Sequence, residues 1–405
     1  MKINIRIVLL IFGILIFIPS LIFILLDQPS YASGMIVSCV IIIIIYQCIK
    51  HHLPISTIAN NRILFKYFSV GLLLIIIHGS IAFFITYDFS INRFLGSILI
   101  IILILVTIGC VINILFNTSE KSFEIILKTI SLFFAIITVS SGMLRFAPLS
   151  QYYLLNRHVF PFLEPSHYAL IIAPYFLWIL AIQKETYMKI IILLFISTLL
   201  LFISNLTLVC LIGLGAFLSF GYKKFALFIV IMGLIIYLGG FDLIYYTKRA
   251  DINDANLSTL VWIQGWEESW INFVRTYGIG VGFQQFGVAE PKGDAAQSLY
   301  VMFNNEYLNR YDGGTFGSKL IGEFGFLGIA CISWILLQIY KSFKYLRKVY
   351  EIPYSPRIIF FHCCIAYFCI EIFVRSTSYI APGFFIFMIG IIGVNIVKVN
   401  RKQNE

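Results

Sequence analysis

The chain is 405 residues long, 60% hydrophobic and only 12% charged, with a mean hydropathy of +0.94. A soluble domain is excluded, because globular chains carry about 25% charged residues and only about half apolar ones. The formal net charge of +10 does not mark a nucleic-acid binder, since the lysines and arginines are scattered in twos and threes between apolar runs, which is a topology signal.

Runs of about 17 to 25 apolar residues predict an all-α integral membrane protein with twelve spans, near 6–26, 32–49, 66–86, 94–116, 123–143, 166–183, 187–203, 205–221, 225–240, 318–340, 357–374 and 379–397. The first run follows Lys2 and Arg6 and lacks a small-residue cleavage site, so it is expected to be retained with the N-terminus in the cytoplasm. Both termini inside then places most of the 29 lysines and arginines in cytoplasmic connections, and leaves only Arg93, Arg145, Arg157 and Arg375 in the short outside ones. The closely spaced region 187–221 is divided at Ser204 and Asn205. The chain thus reads in three parts: 1–240 with the first nine spans, 241–317 as a large outside segment, and 318–405 with the last three spans and a cytoplasmic tail.

Polar residues collect in two outside segments, 144–165 and 241–317, and function is expected where polar chemistry is kept against the cost of the bilayer. In the first, Glu164-Pro165-Ser166-His167 opens the sixth span. Pro165 suits a first helical turn, Glu164 meets the positive end of the helix dipole and His167 follows three residues later on the same side. That spacing suits an acid/base pair; the bland alternative is a helix cap with an interfacial histidine. Arg145 and Arg157 share the segment, and two outside arginines oppose the topology rule unless an anion needs them.

In the long segment, Arg249 presents a planar fork suited to phosphate oxygens, with a surface ion pair to Asp251 or Asp254 as the alternative. Trp262, Trp266 and Trp270 recur every four residues, the pattern of a helix lying in the membrane interface, with sugar stacking as a second role. Glu267 and Glu268 fall off that stripe. Gly278, Gly280, Gly282 and Gly287 alternate through a stretch read as a tight loop near the membrane rather than a dinucleotide fingerprint. Lys319 and Glu323, four apart on one helical face, form either an intrahelical pair or a functional charge site, and Glu371 and Arg375 repeat the spacing. The six histidines and the outside carboxylates show no ligand spacing, so no metal and no cofactor is expected. The eight cysteines all lie in or beside apolar runs, against a disulfide framework.

The Glu-Pro-Ser-His tetrad, the large outside segment after the ninth span, and the run from Leu257 through Trp266 and Glu267 closing on Gly278-Ile279-Gly280-Val281-Gly282-Phe283 together resemble the Wzy-type O-antigen polymerases. The resemblance covers the whole chain in topology and is specific in motif over about 145–170 and 245–328. It implies an inverting GT-C-type glycosyltransferase of lipopolysaccharide biosynthesis, joining undecaprenyl-diphosphate-linked oligosaccharides on the periplasmic face of the inner membrane. It also implies membrane lipids and a polysaccharide chain-length regulator as partners, and no nucleic acid. By resemblance, Arg145, Arg157 and Arg249 hold the carrier diphosphate. Lys319 joins them as an expected diphosphate- or substrate-binding residue, with Glu323, Arg310 and Trp266 as accessory positions.

The chemistry of an already activated donor fits these residues: cations for the leaving diphosphate, a base for one sugar hydroxyl, and no nucleotide site. Glu164 is the expected base, with His167 beside it. The related O-antigen ligases share topology and donor but typically carry a histidine in the large periplasmic loop, and 241–317 has none. A transporter of lipid-linked sugars would line a path through the bundle with its charges, whereas here they gather at one face. The polymerase reading leads.

Overall fold

The computed structural model describes residues 3–26, 31–50, 57–144, 159, 161–162, 164–198, 205–220, 225–226, 230, 257–302, 307, 309–351, 353–376 and 378–404. Among the described residues the regular structure is helical throughout: α1 (Ile5–Leu25), α2 (Ala32–Ile49), α3 (Thr57–Ile85), α4 (Ile91–Phe116), α5 (Glu120–Leu144), α6 (Pro165–Ile182), α7 (Thr186–Ser197), α8 (Leu206–Ser219), α9 (Leu257–Arg275), α10 (Asp294–Met302), α11 (Phe316–Arg347), α12 (Pro356–Ala366), α13 (Phe368–Phe373) and α14 (Pro382–Asn404). Nine stretches among the described residues are long and apolar enough to cross a membrane, so the protein is an α-helical, multi-pass membrane protein.

These nine correspond to nine of the twelve expected spans. Spans 187–203 and 205–221 take the form of the shorter apolar helices α7 and α8, and 225–240 lies outside the described residues except at a few positions. The expected break between the two short helices holds at Asn205, whose side chain accepts the Leu208 amide at 3.2 Å and starts α8. The tenth span is shifted. Its apolar window runs from Phe326 to Arg347, not from 318, because Gly325 (φ 55°, ψ −127°) interrupts α11.

Depth in the bundle is graded. The membrane stretches of α6 and of α12–α13 are 78% and 83% buried within the protein, whereas that of α3 is 17% buried, so the first two are central and α3 is peripheral. Lipid tails are as apolar as leucine, so such helices are held by shape and ring packing rather than by exclusion of water. Tyr175 of α6 supplies much of it, with ring centroids 6.2 Å from Phe12, 5.4 Å from Phe134 and 5.4 Å from Phe360. At the end of the bundle where α12 begins, Arg357 lies 3.5 Å from Glu120 and donates to the carbonyls of Phe116 and Thr118.

The opposite end is closed by the glycine-rich stretch 276–287. Where Gly325 breaks α11, the carbonyls just before it lose their next-turn amides, and the loop supplies replacements: Val281 N donates to Gly322 O at 3.0 Å and Gly282 N to Glu323 O at 2.8 Å. In return Phe326 N donates to Gly278 O at 2.8 Å. Glycine is required because the loop backbone is left-handed at Gly278, Gly280 and Gly282, and a Cβ on Gly280 would lie 2.4 Å from the Glu323 carbonyl oxygen. The tight loop expected from the sequence is thus the splint of a broken helix.

Candidate functional site

Glu164 stands at the N-cap of α6 in extended conformation (φ −132°, ψ 151°), with Pro165 in the first turn. Its carboxylate does not cap the helix. It turns aside to accept the Ser166 hydroxyl at 2.9 Å and lies 3.3 Å from the Arg375 Nη2 atom. His167, one turn into the helix, places Nε2 4.0 Å from the same carboxylate oxygen, and its Nδ1 is 2.7 Å from the Tyr31 hydroxyl at the start of α2. The chain Tyr31–His167–Glu164–Arg375 therefore ties α2, α6 and the segment after α13 together at one end of the bundle.

Arg375 corrects one expectation. Its spacing from Glu371 suggested an intrahelical pair, yet α13 stops at Phe373 and Arg375 departs from helical geometry. Released from the helix, the guanidinium reaches across to Glu164. Glu371 stays buried, accepting the Tyr367 hydroxyl at 3.1 Å and the Ser376 hydroxyl at 3.3 Å. The backbone of Ser376 donates to Gly314 O at 3.2 Å, which fixes where Arg375 emerges.

Burial alone would raise the Glu164 carboxyl, but the Arg375 and His167 charges, with hydrogen bonds from Ser166 and Arg375, outweigh it and hold the group below the usual carboxylate range. Glu164 is consequently ionised at neutral pH. It opens onto a cleft of about 490 Å³ that is also lined by Arg375, Trp262, Ser258, Asn205 and Thr207. That volume is within the range of about 300–1,000 Å³ usual for small-molecule pockets.

The tryptophan stripe on α9 divides. Trp262 donates its indole N–H to the Phe373 carbonyl at 2.9 Å and faces the cleft. Trp266 is half-buried edge-on to Trp262, with centroids 6.3 Å apart. Trp270 is exposed and stacks on Phe273. The two glutamates off the stripe reach the chain on their other side: Glu268 accepts the amides of Lys292 (2.5 Å) and Gly293 (2.6 Å), and Glu267 that of Ala295 (2.9 Å), at the start of α10. Burial raises the Glu268 carboxyl, against the pull of those two amides.

Lys319, Glu323 and Arg310 form a separate group. Lys319 is 2% exposed and donates to Tyr311 O at 2.8 Å, with Glu323 at 4.0 Å and the Tyr379 ring centroid at 5.4 Å. Glu323 accepts the Phe286 amide at 3.4 Å. Arg310 donates to the carbonyls of Gly287 (2.7 Å) and Val288 (3.0 Å), and both it and Arg93 lie over the Tyr311 ring, at 4.9 and 4.0 Å from its centroid. These charges brace the segment before α11 against the glycine loop and do not line the cleft. Lys319, expected among the diphosphate- or substrate-binding residues, is enclosed within this group. Arg145, Arg157 and Arg249 lie outside the described residues.

Sequence reasoning missed the Arg375–Glu164 pair and the Tyr31 contact. Arg375 carried a signal, being one of the few arginines in a short outside connection; Tyr31 carried none. No family model matches the chain, and no curated protein matches it.

Proposed function

We propose that the chain is an O-antigen polymerase of the Wzy type, an inverting glycosyltransferase that joins undecaprenyl-diphosphate-linked oligosaccharides in the bacterial inner membrane. On this reading the end carrying Glu164 and Arg375 faces the periplasm and both termini are cytoplasmic. The observation that carries it is one carboxylate, held ionised by an arginine, opening with a tryptophan and several hydroxyl and amide side chains onto a cleft at one end of a membrane bundle.

Transfer requires the acceptor hydroxyl oxygen to bond to the donor's anomeric carbon from the face opposite the carrier. The bond from that carbon to the diphosphate oxygen breaks, its electron pair leaves with the diphosphate, and the hydroxyl proton goes to a base. Glu164 fills that role. The ion pair makes it a weak base, which suits a reaction in which the hydroxyl becomes strongly acidic only as its oxygen bonds to carbon. Arg375 keeps the carboxylate charged and oriented. Arg145, Arg157 and Arg249 remain the arginines assigned to the carrier diphosphate. Lys319 is not needed for that set.

Purified protein supplied with undecaprenyl-diphosphate-linked repeats should produce a ladder of polymer. Single transfer to lipid A-core without a ladder would indicate a ligase instead, and movement of the lipid across vesicles without bond formation a transporter.

A further inference from the structure

Trp262 and Trp270 lie on one stripe of α9 but are solvated differently. Trp270 is 65% exposed and stacked on Phe273, the posture of an interfacial anchor. Trp262 has its only polar atom tied to the Phe373 carbonyl at 2.9 Å, and its ring, 41% exposed, is turned to the cleft that Glu164 opens onto. An indole whose N–H is satisfied inside the protein gains nothing from headgroup depth; what it offers is a rigid apolar face. Ser258, one helical turn earlier, lines the same cleft, as do Asn205 and Thr207 at the start of α8. Asn205 spends its side-chain oxygen on the α8 cap, so its amide nitrogen is the group directed to other partners.

We infer that this wall is a subsite for one neutral pyranose ring, with Trp262 as the platform for the ring's C–H face and Ser258, Asn205 and Thr207 as partners for its hydroxyls. None of these four carries a charge, so the wall fits the sugar rather than the diphosphate. Because Glu164 is at the same cleft, the ring is that of the acceptor. The assignment rests on the glycosyltransferase reading.

The test uses the full chain in lipid nanodiscs and, as probe, the oligosaccharide released by mild acid from lipid-linked repeats of the cells that carry the chain. Trp262→Phe keeps an aromatic face and loses the N–H; Trp262→Leu keeps apolar bulk and loses the face. Calorimetric titration should show Trp262→Leu weakened about tenfold, the loss of one aromatic contact, while Trp262→Phe stays within about threefold of the unaltered protein. Equal weakening of both would assign the effect to the Phe373 hydrogen bond and overturn the subsite, as would unchanged binding in Trp262→Leu or no binding by the unaltered protein. Polymer formation from intact lipid-linked repeats is measured in parallel. Its absence with binding intact removes the polymerase reading and leaves the subsite standing.

Discussion

Arg375 meets Glu164 at 3.3 Å although the two are 211 residues apart in the chain. The contact exists because α13 ends before Arg375 and α6 begins after Glu164, so two helix ends present opposite charges at the same level. One partner is the carboxylate assigned to proton transfer. The pair therefore links the stability of this end of the bundle to its proposed chemistry.

Glu164→Gln keeps the shape of the side chain and can still accept from Ser166, but it has no basicity. Polymer formation should fall by a factor of about a hundred or more, with normal abundance in the membrane. The check is turnover of lipid-linked repeats by the purified variant; near-normal turnover in folded protein would exclude Glu164 as the base.

Arg375→Ala should move acid sensitivity. Since the folded-state Glu164 carboxyl is depressed, its pairing contributes stability that is fully present above the ordinary carboxylate range and is lost as pH falls through the lower folded value. Without Arg375 the burial effect prevails and raises the folded-state carboxyl, so protonation favours the folded state and this acid-linked loss disappears. Melting temperatures in detergent, followed from about pH 7 to about pH 3, should be lower in the variant near neutral pH and fall less on acidification than in the unaltered protein; coincident profiles would show that the pair contributes nothing. The Glu164 side chain is 45% exposed, so water screens part of the pairing.

Gly280→Ala tests the splint across the break in α11. The substituted Cβ would meet the Glu323 carbonyl oxygen at 2.4 Å, and the residue's φ of 89° is strained for any L side chain. A cost of roughly 1–3 kcal/mol from backbone strain alone is expected, read as reduced folded yield and a lower Tm. Gly96→Ala, where a Cβ meets nothing within 4 Å, is the matched control and should be silent.

Orientation is tested by labelling. In a background lacking the eight native cysteines, a cysteine at Lys292, exposed just before α10, should react with an impermeant maleimide in intact spheroplasts. One at Lys344, exposed near the end of α11, should react only after the membrane is opened. The reverse pattern would invert the proposed topology.

Much of the fold is legible in the sequence because it is local. Apolar runs of spanning length, Pro165 after Glu164, and Asn205 before α8 each act within a turn or two of their own position, and the glycine alternation marks a tight loop. The placement of polar residues toward the ends of the bundle follows from the bilayer, which disfavours them in the middle.

What only the tertiary structure decided is which distant groups share one end. Helical periodicity pairs Arg375 with Glu371 and Lys319 with Glu323, since neighbours three or four apart are all that a single helix relates. Arg375 left that pattern because its helix stopped two residues short of it, whereas Lys319 stayed in it and was buried before Gly325. Trp262 and Trp270 are equivalent on the stripe and became different when the Phe373 carbonyl approached one of them. By itself the sequence determined a helical, multi-pass membrane protein. How the helix ends meet, which depends on where each helix stops and how it packs against the others, decided that Glu164 pairs with Arg375 in a cleft that Trp262 also lines.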